Sequence, residues 1–197
     1  MRNLIFFSIL LVTITSCKQS SGQLPEALNI NAFEKHQVDG VWQYTDHQGN
    51  NVQVQKDADE YWETITGKET LFTQRNDYYA NGRLKVSGQY FRGDGFAKGV
   101  WIYYDQNCRI IKTEDKDIAF KKHPWEAALS YLKKNRVNLL DKLTRVNNHS
   151  GPNGTYWLLS WKTGKTNSEG LDMIKNVWID VNSGKIIIQK DTYCCID

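Results

Sequence analysis

The sequence predicts a mainly β protein with an α+β part: a meander of antiparallel strands, then a small domain with a helix on an antiparallel sheet. Three observations support this fold class. Short alternating runs separated by glycine, asparagine and aspartate fill residues 38–117. A helical stretch with one apolar stripe follows at residues 123–143. The chain then returns to alternating runs, which end in a hairpin sequence around Asn182, Ser183 and Gly184.

The start of the chain has the features of a secretory signal. Arg2 precedes an apolar run from Leu4 to Val12, which is too short to span a bilayer. The residues before Cys17 read Ile-Thr-Ser, which resembles the lipobox of bacterial lipoproteins. The resemblance implies cleavage before Cys17 and attachment of acyl chains such as palmitate to this residue, which would anchor the protein to a membrane. The alternative is an ordinary secretory signal.

The charge of the remaining chain is close to balanced. Removal of residues 1–16 takes away Arg2 and no acidic residue, which leaves 24 Lys and Arg against 22 Asp and Glu. A nucleic-acid-binding protein would carry a concentrated basic face, so no nucleic-acid partner is expected. Residues 18–23 contain no acidic residue and no inner-membrane retention signal, which favours the periplasmic side of the outer membrane.

Four segments are predicted from the composition. Residues 1–16 form the signal peptide. Residues 17–37 form a flexible tether, because this segment is polar and rich in turn-forming residues. Residues 38–117 form the β-meander, and residues 118–197 form the α+β domain. In the meander, Leu84, Val86 and Tyr90 alternate with polar residues, as in a half-buried strand.

Internal comparison finds repeated aromatic patterns in the meander. Residues 40–44 and 99–103 share the pattern Gly-Val-Trp-x-Tyr, and residues 78–84 read YYANGRL. This combination resembles the MORN-repeat variant, in which Tyr-Tyr-x-Asn-Gly hairpins alternate with Gly-x-Trp-x-Tyr strands. The match covers residues 78–112, with a degenerate copy at 41–54 and Cys108 where the pattern expects glycine. The resemblance implies stacked hairpins that share Trp101 and Trp42 as core residues, and bacterial proteins with such repeats are often labelled antitoxin components.

The second part of the chain begins with an amphipathic helix and ends with strands. Trp125, Ala128, Leu129 and Leu132 share one helical stripe, a shorter helix is predicted at 137–143, and residues 147–154 read as a loop. Three antiparallel strands complete this domain. Basic residues concentrate around the first helix, where they form a candidate surface for anionic lipid head groups or an acidic protein. These residues are Lys121, Lys122, Lys133, Lys134 and Arg136.

Three cysteines remain beside Cys17 in a compartment that favours disulfides. We predict that Cys108 pairs with Cys194 or Cys195, which would tie the C-terminal tail to the meander. Pairing of the adjacent Cys194 and Cys195 is the competing arrangement, and it is strained.

No catalytic or cofactor-binding motif is present in the sequence, and the histidines lack metal-ligand spacing. We therefore expect no cofactor, no metal and no enzymatic activity. The sequence favours a membrane-anchored lipoprotein that binds another protein, with the immunity or antitoxin-like role that the MORN resemblance implies. Two alternatives stay open: a periplasmic hydrolase that uses His123 or His149, and a structural envelope protein without a discrete ligand.

The lipidation of Cys17 is directly testable. Cys17→Ser should leave an uncleaved precursor without acyl chains, because the thiol that receives the lipid is gone. Metabolic labelling with radioactive palmitate measures this. Label incorporated into the Cys17→Ser protein would contradict the lipoprotein assignment.

Overall fold

The computed structural model describes residues 26–93 and 95–194. The elements in chain order are α1 (Ile30–His36), β1 (Val41–Thr45), β2 (Asn51–Asp57), β3 (Glu60–Thr66), β4 (Phe72–Tyr78), β5 (Leu84–Phe91), β6 (Ala97–Tyr104), β7 (Ile110–Asp115), a 3-10 turn (Ile118–Phe120), α2 (Trp125–Lys134), β8 (Arg145–Gly151), β9 (Gly154–Thr166), β10 (Asp172–Asp180) and β11 (Ile186–Cys194).

The strands of the described chain form two antiparallel sheets. Strands β1 to β7 pair in chain order as a seven-stranded meander, and the second sheet has the order β11-β10-β9-β8. This arrangement confirms the predicted fold class, mainly β with an α+β part. Neither helix of the described residues has the length and apolar composition needed to cross a membrane.

Several predictions about the N-terminal region fall outside the described residues. The signal peptide at 1–16, the lipidation site Cys17 and the tether up to residue 25 belong to this group. The last part of the predicted tether, by contrast, is structured. Residues 30–36 form α1, whose start is capped by Asn29, and Phe33 of this helix is completely buried. Burial of the Phe33 side chain stabilises the packing of this segment on the sheet, so it does not form an extended tether.

Helix α1 packs on one face of the meander, which we call the packed face. The Phe33 ring meets Tyr61 edge-on, with 5.3 Å between ring centroids. Val52 and Val54 of β2 and Tyr78 of β4 belong to the same buried cluster. These residues share one face because cross-strand partners in an antiparallel sheet point to the same side.

The second hydrophobic cluster joins the meander to the C-terminal part. Phe96, from the glycine-rich connection between β5 and β6, is only 3% exposed. Its ring lies 4.8 Å from that of Trp157 and 5.2 Å from that of Trp125, and its backbone N–H donates to the carbonyl of Val146. Residues 38–117 and 118–197 therefore share a core, although they were predicted as separate domains.

The C-terminal sheet has four strands rather than the predicted three. Residues 145–151, most of which were predicted as a loop, form β8 and pair with β9 over seven register positions. The predicted short helix at 137–143 is absent from the described structure. There Asn138 and Asp141 accept hydrogen bonds from the backbone N–H groups of Leu140 and Leu143, and such local bonds favour turns over helix.

Cys108 occupies a backbone conformation that favours glycine. In the β6–β7 turn its φ is +62°, and Gly49, Gly82 and Gly170 have φ near +80° in the corresponding hairpins. The Cys108 thiol is free, and its turn lies in a different sheet from Cys194 at the end of β11. The predicted Cys108–Cys194 bridge is therefore not formed, and Cys195 lies outside the described residues.

Cys108→Gly should stabilise the protein. The left-handed conformation costs a residue with a Cβ about 1–2 kcal/mol, and the greater entropy of an unfolded glycine offsets part of this gain. We expect the free energy of unfolding in urea to rise by about 0.5–1 kcal/mol. Asn107→Gly is the matched control, because the same change in the same turn should bring no gain at a residue without positive φ. A destabilised Cys108→Gly protein would show that the thiol makes a contact the fold needs.

Candidate functional site

The side of the meander opposite α1 carries a group of aromatic and cationic side chains, which we call the open face. Cross-strand pairs place these residues on one side: Trp62 with Asp77, Asp77 with Val86, and Val86 with Tyr103. Neither hydrophobic cluster contains a residue of this side. The large side chains of the open face are half-buried by one another; they are Trp62, Arg75, Tyr90, Trp101 and Tyr103.

Trp101 lies flat on the open face instead of in the core. A Cβ atom at Gly88 would overlap the indole ring, so this glycine is what lets Trp101 rest directly on the sheet. The indole Nε1 donates to the carbonyl of Gln89 at 3.2 Å. The prediction that Trp101 is a core residue is wrong, and its counterpart Trp42 is not equivalent, because Trp42 packs on the opposite face against the α1 cluster.

Cations lie over several rings of the open face. The guanidinium of Arg75 is 5.4 Å from the Trp62 ring, and Lys112 and Lys116 lie over Tyr103 and Trp101 at 4.9 and 5.5 Å. Glu114 links the two lysines with ion pairs of 2.9 and 2.7 Å. Hydrogen bonds from Lys116 and then Lys112 lower the pKa of Glu114 to about 2, so the Glu114 carboxylate stays ionised at neutral pH.

A cleft of about 640 Å³ opens on the packed face beside α1. Glu63 of β3 lines it and is 9% exposed. The hydroxyl of Tyr78 donates to Glu63 Oε2 at 2.8 Å, and Asn76 Nδ2 donates to the same oxygen at 2.9 Å. Trp42 and Tyr44 form another wall of the cleft, with their rings stacked 4.3 Å apart.

The electrostatics of the cleft are anionic. Burial and then the Glu63 carboxylate raise the pKa of Tyr78 far above its ordinary value. Burial and then the nearby negative charges of Glu63 and Asp46 also raise the pKa of Tyr44. Hydrogen bonds from Asn50 hold the pKa of Asp46 below its usual range, which keeps a second negative charge at this cleft.

The predicted basic surface is divided in the structure. Lys121 and Lys122 precede α2, and Lys122 donates to Asn182 at the β10–β11 turn. Lys133 and Lys134 lie in the last turn of α2, and Arg136 follows it. Since a ten-residue helix is about 15 Å long, the two groups are at opposite ends of α2 and form no single face.

The histidines of the hydrolase alternative have structural contacts. The Nδ1 atom of His123 donates to the carbonyl of Val181 at 3.0 Å, and the His123 ring covers Gly184. His149 stacks on Tyr156, with 4.7 Å between ring centroids. Within residues 26–93 and 95–194, no group of three or more histidine, cysteine, aspartate or glutamate side chains is placed to hold a metal ion.

Glu63 was not predicted as a functional residue, although the sequence of its strand carries a signal. In β3, Tyr61 and Ile65 are apolar residues of one face, and Glu63 lies between them at the same parity. A carboxylate in the apolar phase of a strand is rare, because an unpaired buried charge is costly. Trp62 was not predicted either. That it lies on the face opposite Glu63, together with Arg75 and Trp101, becomes evident only when the strand register is known.

The comparisons with known proteins found no relative. A scan against protein-family models found no match to the chain, and searches of curated proteins and of solved structures found no similar protein. The resemblance of residues 78–112 to MORN-repeat variants therefore stays a prediction.

Tyr78→Phe should destabilise the protein in a pH-dependent way. Loss of one of the two donors to buried Glu63 should lower the free energy of unfolding by about 1–3 kcal/mol at pH 7. Because the folded-state pKa of Tyr78 is raised above 10.0, its contribution is complete below pH 10 and is lost as the pH rises toward the folded-state pKa. In urea unfolding, the difference in unfolding free energy between the parent and the variant should therefore become smaller above pH 10.

The matched control is Tyr193→Phe, which removes one phenol from a residue that is 56% exposed. It should leave both the stability at pH 7 and the alkaline loss unchanged. Equal behaviour of the two variants would mean that the Tyr78–Glu63 bond contributes nothing measurable.

Proposed function

We propose that this protein is a non-enzymatic binding module that docks another protein on its open face and is held at a membrane by lipid on Cys17. The observation that carries the proposal is the composition of the open face. Trp62, Arg75, Trp101 and Tyr103 lie on one face of β3, β4 and β6, outside both cores. Trp, Tyr and Arg are the residues most enriched among binding hot spots between proteins.

The open face also supports binding by being preorganised. The Trp101 ring rests on Gly88 and is fixed by its bond to Gln89, and Arg75 is held by an ion pair of 2.8 Å with Asp77. Side chains that are already ordered lose little conformational entropy when a partner docks. A rigid sheet with half-buried rings therefore offers a large contact area with a small loss of conformational entropy on binding.

The anchor sets how far the module can reach. The chain from Cys17 to Asn29, where α1 is capped, can extend over at most about 40 Å. A lipid on Cys17 would thus keep the open face close to the membrane, and we propose the periplasmic side of the outer membrane for it. An immunity or antitoxin-like role is the sharpest version of this proposal, and it rests on the MORN resemblance alone.

Photo-crosslinking in cells can identify the partner. We would place p-benzoylphenylalanine at Thr64, an open-face position of β3 beside Arg75, and at Lys190 on β11 as the control. The expected result is a discrete crosslinked protein from Thr64 and none of this species from Lys190. Mass spectrometry then identifies the crosslinked protein, which is purified for binding measurements.

Trp101→Ala should weaken binding of that purified protein by at least tenfold, because a central aromatic anchor is lost. Val100→Ala is the matched control on the same strand; Val100 is 57% exposed, and the alternation of β6 directs it to the other face. Circular dichroism melting verifies that both variants fold. Equal crosslinking from both positions, or wild-type affinity of a folded Trp101→Ala protein, would contradict docking on the open face.

A further inference from the structure

We propose that the cleft beside α1 binds an alkylammonium group, with Glu63 as its counter-ion. This site lies on the packed face, on the other side of the meander from the open face, and it does not depend on the function proposed above. The inference rests on the contacts of Glu63, the charges around the cleft and the aromatic wall.

Glu63 is a buried carboxylate with neutral partners. Both of its hydrogen bonds, from Tyr78 and Asn76, go to Oε2, so Oε1 receives no donor from the described residues. Every fully buried side-chain oxygen of the described residues does have a partner, which means that Oε1 keeps access to the cleft. A buried carboxylate is normally paired with a cation, and the cleft provides the space for one.

The charges around the cleft favour a cation from outside. Its ionisable lining residues besides the tyrosines and Glu63 are Glu26, Asp46 and His47, and no lysine or arginine lines it among the described residues. Lys56 of β2 and Lys85 of β5 form ion pairs with Glu34 and Glu60 instead. An incoming ammonium group would thus meet attraction from three carboxylates.

The walls suit a cation carried on an alkyl chain. Trp42 and Tyr44 line the cleft with rings that stack on each other, and His36 also stacks on Trp42. The face of Tyr44 that is turned away from Trp42 is therefore the ring surface that attracts a cation through its quadrupole. Leu28, Ala32 and Ile65 provide apolar contacts for methylene groups. The volume of about 640 Å³ lies within the range of small-molecule sites.

An ammonium group fits this site better than a guanidinium. Guanidinium groups bind carboxylates through two parallel hydrogen bonds, which need both oxygens free. Glu63 Oε2 already has two donors, so the site offers a single acceptor oxygen. The geometry therefore selects a point charge such as a primary ammonium, which either a lysine side chain or a free amine can supply.

Titrations monitored by ¹H–¹⁵N NMR test the proposal with three probes: 1,5-diaminopentane, Nα-acetyl-lysine methylamide, and the same lysine compound acetylated at Nε. The two ammonium probes should shift the resonances of the Trp42 indole and the Asn76 side-chain amide, and the Nε-acetylated probe should not. Equal affinity for the two ammonium probes indicates a free amine as ligand, and tighter binding of the lysine probe indicates a peptide. Saturable binding of either supports the proposal; no shifts at millimolar concentration, or equal shifts with the Nε-acetylated probe, overturn it.

Substitutions locate the counter-ion. Glu63→Gln keeps the shape of the side chain and should weaken ammonium binding at least tenfold, whereas Glu60→Gln removes an exposed carboxylate of the same strand and should bind as the parent does. If Glu63→Gln fails to fold, Tyr44→Leu keeps the carboxylate and should still weaken binding several-fold through loss of the ring. Trp101→Ala should leave ammonium binding unchanged, which separates this site from the open face. Parent-like affinity in both folded cleft variants would refute the assignment.

Discussion

The structure depends on the burial of one face of a seven-stranded sheet by two separate elements. At one end of the strands, Phe33 of α1 covers Tyr61 and Tyr78. At the other end, Phe91 and Phe96 enter the aromatic core of the C-terminal part. A sheet that is covered on one side gains its hydrophobic stabilisation there and leaves its other side to solvent. The division into a packed face and an open face, and with it the location of both candidate sites, follows from this constraint.

The two covering elements leave a polar strip between them on the packed face. Gln74, Asn76 and Ser87 bond to one another there, and Asn76 passes the network on to Glu63. Within such a network each buried polar group has a partner, so the cost of burying the carboxylate is reduced without an ion pair. The cleft thus exists because α1 is short: a helix of seven residues covers part of the face and leaves Glu63 at the wall of the cleft beside it.

The connection between β5 and β6 packs between the two sheets and joins their cores. Phe96 stacks with Phe91 on the meander and touches Trp157 on the second sheet, so neither part completes its core without the other. We expect the two sheets to unfold together, because the shared cluster couples their stabilities. The open face takes no part in this core, so substitutions there leave the packing between the two sheets intact.

The sequence by itself determined the elements whose signals are local. Alternation in residues 84–104, the apolar stripe of α2 and the hairpin turns were all evident from spacing, and they establish the mainly β fold class. The position of Cys108 in a glycine-type turn was also evident. Tertiary structure alone decided which face each aromatic residue occupies, because a strand pattern shows two faces but not which one will be covered. For that reason Trp101 was predicted in the core and lies on the open face, while Glu63 became the buried carboxylate of a cleft.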